Sequence, residues 1–149
     1  GLVTSASWLM SGFGVSLQFL LLSKLKLVAL IVSSIESFFP QVDINTVLLI
    51  AEKRVKPWVK KDEVIAFVTL KKKLEDLFPQ GNEYWSELTE FADLIEDTNG
   101  SVENEDYRIK LVSAETELDL LTKYPNKSRN WSVYLRAPLS YFEIFGGSE

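Results

Sequence analysis

Leu27-Val28-Ala29-Leu30-Ile31-Val32 is an unbroken apolar run of strand length, the pattern of a β-strand covered on both faces of its sheet. That reading makes the chain an α/β protein with Leu27–Val32 as a central strand. On its N-terminal side, Lys24-Leu25-Lys26 closes a helix in which Leu17, Leu20 and Leu21 recur at helical spacing, with Phe13 one turn earlier on much the same face. The helix begins near Ser7 or after Gly14, and Leu2-Val3-Thr4-Ser5 before it reads as a short strand, with Ser5 or Ser7 as a cap. On the C-terminal side, Glu36–Pro40 is a loop, Ile44–Ala51 a second buried strand and Val64–Leu70 a third. The 12 residues between the last two suit a long hairpin better than a helical crossover. The first half therefore reads β-α-β-β-β.

From Leu74 the composition changes. Leu74, Leu77 and Phe78 make one helical turn, stopped by Pro79-Gln80-Gly81, and Tyr84, Trp85, Leu88, Phe91, Ala92 and Ile95 mark an acidic amphipathic helix ending at Asn99-Gly100. Its aromatic stripe is expected to be core. Tyr107–Val112 alternates with period two, as a half-exposed strand does, and a short helix over Glu115–Leu121 and an aromatic-rich segment Trp131–Phe145 follow. The expected organisation is a sheet over 1–73, an acidic helical insertion over 74–100 and a small α+β portion over 101–149.

With 149 residues, 46% of them hydrophobic and 25% charged, the chain can bury one ordinary core. It contains no His and no Cys, which excludes disulfides, thiolate nucleophiles, Ser-His-Asp triads and every Cys/His zinc pattern. Net charge is −5 but unevenly placed: residues 52–73 carry eight basic against three acidic groups, and residues 74–106 carry eleven acidic and no basic groups. Leu17–Val32 is too interrupted by Gln18, Ser23, Lys24 and Lys26 for a membrane span. The opening Gly1-Leu2-Val3, without Met or a basic n-region, shows no signal peptide and suggests an excised piece of something longer, placed in the cytoplasm. Ser11-Gly12-Phe13-Gly14 lacks the third Gly and the Lys of phosphate-cradling loops. Glu83, Glu87 and Glu90 lie along one solvated helix face, and Asp93–Asp97 lacks the ligand spacing of a calcium loop.

Four segments in order carry a resemblance: Leu2-Val3-Thr4-Ser5-Ala6-Ser7-Trp8-Leu9, Phe13–Leu21, Glu36–Lys53 and Trp131–Ile144. Together they resemble the distal half of the catalytic domain of γ-class N6-adenine DNA methyltransferases, of the large restriction-modification and phage-defence type. The resemblance implies a partial methyltransferase-type sheet, closed in the family by a β-hairpin. It implies S-adenosylmethionine and DNA as cofactor and partner of a longer parent enzyme, with no membrane. The family's Gly-rich cofactor loop and its Asn-Pro-Pro-Tyr tetrapeptide are absent here, so the chain alone is expected to be inactive and to have no catalytic residue. Phe13 is the residue carried to the cofactor side, and Asn45 and Thr46 to the base pocket. Some relatives have an aromatic residue near the end of the Ile44–Lys53 strand, where this chain has Ala51. The strip Lys53, Arg54, Lys56, Lys60 and Lys61 is expected beside that pocket, touching DNA phosphates without sequence choice. Removal of the family's first half is expected to leave Leu2–Thr4 and the flank of Leu27–Val32 as unpaired edges that self-associate. The alternative is a non-catalytic α/β module that docks on a protein partner.

Overall fold

In the computed structural model, which describes residues 1–10, 14–39, 41, 45–127 and 129–146, the apolar run forms β2 (Leu25–Ser33). It lies between β3 (Thr46–Lys53) and β4 (Val64–Leu70). With β1 (Leu2–Ser5), β5 (Val102–Glu103) and β6 (Tyr107–Ser113) these make one open six-stranded sheet of order β1-β3-β2-β4-β6-β5. β2 and β4 are parallel, and every other neighbouring pair is antiparallel. The chain is thus an α/β protein with a mixed sheet, in which β1, β2 and β4 run one way and β3 runs back between β1 and β2.

This topology corrects two expectations. β3 turns back on β2, from Leu25 opposite Lys53 to Ile31 opposite Leu48, while β4 pairs with the other edge of β2. The hairpin expected between the second and third strands does not form, although the connection across residues 54–63 is non-helical as expected. Loop length compares only sequential neighbours. A strand buried on both faces needs both of its hydrogen-bonding edges filled, and β2 takes both partners, β3 and β4, from the chain that follows it. For the same reason the flank of Leu27–Val32 is not an edge; β1 is, with Leu2 58% and Val3 44% exposed.

The alternating faces of β2 serve two cores, and a bulge between Leu27 and Ala29 shifts the alternation by one residue. Leu27 and Leu30 face one side, with Leu22 of α1 (Gly14–Lys24), Leu121 of α4 (Ala114–Lys123) and Trp131 of α5 (Trp131–Arg136). Ala29 and Ile31 face the other, with Leu77 of α2 (Leu74–Leu77) and Ile95 of α3 (Tyr84–Asp97). The last helix, α6 (Leu139–Phe145), rests Phe142 against Tyr134, with the Lys110 ammonium 4.6 Å from the centre of the Phe142 ring.

Three faces differ from expectation. In α1 the buried residues are Gly14, Gln18, Leu21 and Leu22, and Leu20 is half exposed. The helix turns a polar residue inward because both ends of the Gln18 amide are bonded, its Nε2 donating to Arg129 O at 2.8 Å and its Oε1 accepting from Arg129 N at 3.0 Å. In α3 only Ile95 is buried, and Trp85 is 76% exposed, since one edge of the helix suffices to cover β4 and β6. β6 is not half exposed: α5 and α6 cover the face that carries Arg108 and Lys110, and Arg108 is buried.

Candidate functional site

Because β1, β2 and β4 are codirectional, their carboxyl ends and the start of β3 meet at one end of the sheet. Crevices at such strand ends are where open α/β sheets bind ligands. Here they frame a cavity of about 580 Å³. Each wall is held by a local bond. Ser5 caps the 3₁₀ turn Ala6–Leu9 that leaves β1, accepting from Ser7 N, and Ala6 N donates to Asn45 O at 2.8 Å. Ser33 accepts from Glu36 N at 3.1 Å, and Ser34 donates to Leu70 O at 2.9 Å, joining the ends of β2 and β4. Glu36 accepts from Leu74 N, the first amide of α2.

The fourth wall is the C-terminal segment, strapped down by polar groups. Glu117 of α4, 1% exposed, accepts from Arg129 Nε at 3.1 Å, from Trp131 Nε1 at 2.9 Å and from Tyr134 OH at 2.7 Å. Burial and then the Glu117 charge push the Tyr134 phenol above its ordinary range, and the same carboxylate outweighs burial to hold Arg129 raised. One turn on, Leu135 O, a carbonyl at the end of α5 that has no helical partner, accepts from Thr69 Oγ1 at 2.6 Å and Arg108 Nη2 at 2.5 Å. Glu103 then accepts from Leu139 N at 2.8 Å and from Lys71 Nζ at 2.7 Å. Burial opposes ionisation of Glu103, but the Leu139 amide, Lys71 and Arg108 outweigh it, so its carboxyl is held below the usual range. Arg136-Ala137-Pro138 is thus pinned at both ends over the strand ends.

Asn45 and Thr46, which the resemblance carries to a base pocket, line this cavity, and among the described residues their side chains are unengaged. The basic strip does not accompany them. The eight residues of β3 carry the chain about 24 Å from Thr46 to Lys53, so Lys53, Arg54, Lys56 and Lys60 line a second cavity, about 670 Å³, at the other end of the sheet. Lys61 is exposed and lines neither cavity. Arg54 is not a surface cation at all: it is buried, bonded to Glu63 at 2.6 and 2.9 Å and to Leu22 O and Leu25 O. Lys56 lies 5.4 Å over the Trp58 ring. Phe13 falls outside the described residues. Sequence reasoning missed Thr69, Arg108, Glu103 and Glu117. The one signal was Thr69, a polar residue on a face of β4 that otherwise carries Ile65 and Phe67.

The charges of the two cavities differ. Five cations and five carboxylates line the one at the strip's end, whereas Lys71, Arg108 and Arg136 stand against Glu36 alone at the strand ends. Among the described residues no cluster of acidic side chains is fit to hold a metal ion, and no helix is long and apolar enough to cross a membrane.

The chain matches no protein-family model, no curated protein and no solved structure.

Proposed function

We propose that this chain is the distal part of an adenine-specific DNA methyltransferase and supplies the base-side wall of its active site. The observation that carries the reading is the convergence, at one strand-end cavity, of three of the four segments that resemble the family: the end of β1 with its Ala6–Leu9 turn, Asn45-Thr46, and the Trp131–Arg136 strap. The hairpin that the resemblance implied between β3 and β4 is not formed, and β3 pairs instead with β1 and β2, so the reading rests on the cavity and not on the strand order. Enzymes that modify a base extrude it into a pocket and hold it by stacking and edge hydrogen bonds, which Asn45 and Thr46 can offer.

The resemblance puts the Gly-rich cradle for S-adenosylmethionine in the other half of the parent enzyme. No described glycine has a positive φ, and a Cβ on Gly81 or Gly100 would meet nothing, so neither is reserved for close approach of a ligand. The cofactor side belongs to the parent, and the isolated chain should show no heat of cofactor binding in calorimetry. Micromolar binding would overturn that assignment. The whole reading is tested on the gene: its frame should continue upstream into Gly-rich and Asn-Pro-Pro-Tyr segments, and the full-length product should transfer labelled methyl groups to adenine in duplex DNA. A start codon immediately before Leu2 would refute it. In isolation the unpaired β1 edge should self-associate.

A second reading, a non-catalytic interaction module, draws on the exposed Trp85 of the acidic helix α3, and the same upstream sequence decides between them.

A further inference from the structure

At the strand-end cavity Lys71, Arg108 and Arg136 face Glu36 in the lining and Glu103 bonded behind the first two, which leaves one cation in excess on a chain of net charge −5 and points to a site for an anion. Two of those cations are committed: Lys71 bonds Glu103 and Asn104 O, and Arg108 bonds Leu135 O and Glu103, its Nε alone being buried without a partner among the described residues. Arg136 is not. Its guanidinium is exposed and has no hydrogen bond or ion pair among the described residues, yet the backbone that carries it is pinned through Leu135 O and Leu139 N. A free fork of N–H donors on a fixed stem is the arrangement that binds phosphate oxygens bidentately. Across the same cavity stand the unengaged Asn45 amide and Thr46 hydroxyl, able to donate to and accept from a base edge.

We propose that Arg136 binds the phosphate of the nucleotide whose base is held by Asn45 and Thr46, so that the Arg136-Ala137-Pro138 segment is the phosphate clamp of the strand-end cavity. The anion site follows from the geometry; that the base is adenine rests on the function proposed above. Lys53, Lys56, Lys60 and Lys61, at or beyond a cavity whose charges balance, take no part in it.

The test is a titration of the 149-residue chain with 2′-deoxyadenosine 5′-monophosphate, deoxyadenosine and inorganic phosphate, followed by amide resonances. The monophosphate should shift Asn45, Thr46 and Arg136 together, and Arg136→Ala should weaken it at least about tenfold, one charge-assisted contact, while Arg136→Lys keeps part of the affinity. Lys60→Ala/Lys61→Ala should leave it unchanged. If phosphate and monophosphate bind equally through Arg136 and the nucleoside never moves Asn45 or Thr46, the clamp stands and the adenine reading falls. Equal affinity in the Arg136→Ala variant, shifts confined to Lys53–Lys61, or no binding of any of the three would overturn the clamp. Arg136 is exposed, so its variants should keep the native amide spectrum, and that spectrum confirms the comparison is between folded proteins.

Discussion

Replacing Glu117 by Ala should be among the most damaging single changes in this protein. The carboxylate is 1% exposed and serves Arg129, Trp131 and Tyr134 at once. Trp131 is fully buried, so without Glu117 its indole N–H can reach neither acceptor nor water, a loss of about 1–3 kcal/mol. Arg129 keeps a side chain 22% exposed and partly rehydrates, but it loses the partner of a mostly buried charge, and broken buried pairs cost about 3–5 kcal/mol in all. Set against a total stability of about 5–15 kcal/mol, that is a large fraction. At about 2–4 °C per kcal/mol for a chain of this size, the midpoint should fall by about 10 °C. Glu117→Gln should lose less, because its amide oxygen still accepts from Trp131 Nε1 while its NH2 can donate to the Tyr134 hydroxyl. Thermal unfolding by near-ultraviolet circular dichroism reads the midpoint, and the Trp131 indole proton resonance reads the bond itself. A Glu117→Ala midpoint within about 2 °C of the parent chain would show that the strap is held by apolar packing alone.

The Arg54–Glu63 pair gives a pH signature. Burial raises the Glu63 carboxyl, but Arg54 and the Lys60 amide outweigh it and hold it below its ordinary range. Its contribution is therefore complete above the usual carboxylate range and is lost as pH falls through that range and below. Urea midpoints from pH 7 to pH 3 should show Glu63→Gln destabilised by about 3–5 kcal/mol at neutral pH, with a shallower acid limb; parallel curves would refute the assignment. At the sheet edge, light scattering should find concentration-dependent association that Val3→Lys reduces, because a charge on an unpaired strand opposes edge pairing. A strict monomer at high concentration would count against it.

What the sequence disclosed depended on whether the signal was local. β2 was legible because six apolar residues in a row have few other uses, and the Ser5 cap and the 54–63 connection without a helix follow from residues close to one another. The partners of β2 were not legible, since pairing with β3 on one edge and β4 on the other depends on which buried edges remain to be filled. Gln18 and Arg108 misled for the opposite reason. A polar side chain reads as outward facing until its partner is known, and their partners lie 111 and 27 residues away. The resemblance singled out Asn45 and Thr46, which line the strand-end cavity, and the lysine strip expected beside them lies at the other end of β3, because sequence proximity takes no account of strand length.

The same partners explain why Arg136 is better placed than the lysines to meet a ligand. α5 has six residues, too short to hold a helix unaided, and apolar burial by itself is non-directional, leaving a short segment free to slide. Its position comes instead from hydrogen bonds donated or accepted by α1, β4, β6 and α4, each with a required distance and direction. A bonded network of this kind specifies one placement where packing alone permits several. Arg136 inherits that placement through the backbone and has only its own side chain to order on binding. Lys56 and Lys60 ride on the exposed loop between β3 and β4, so both the loop and about 0.5–1.5 kcal/mol of freedom per side chain must be ordered before a phosphate contact contributes. At that end of the sheet the fixed cation, Arg54, is already paired with Glu63, whereas Arg136 at the other is both fixed in place and unpaired among the described residues.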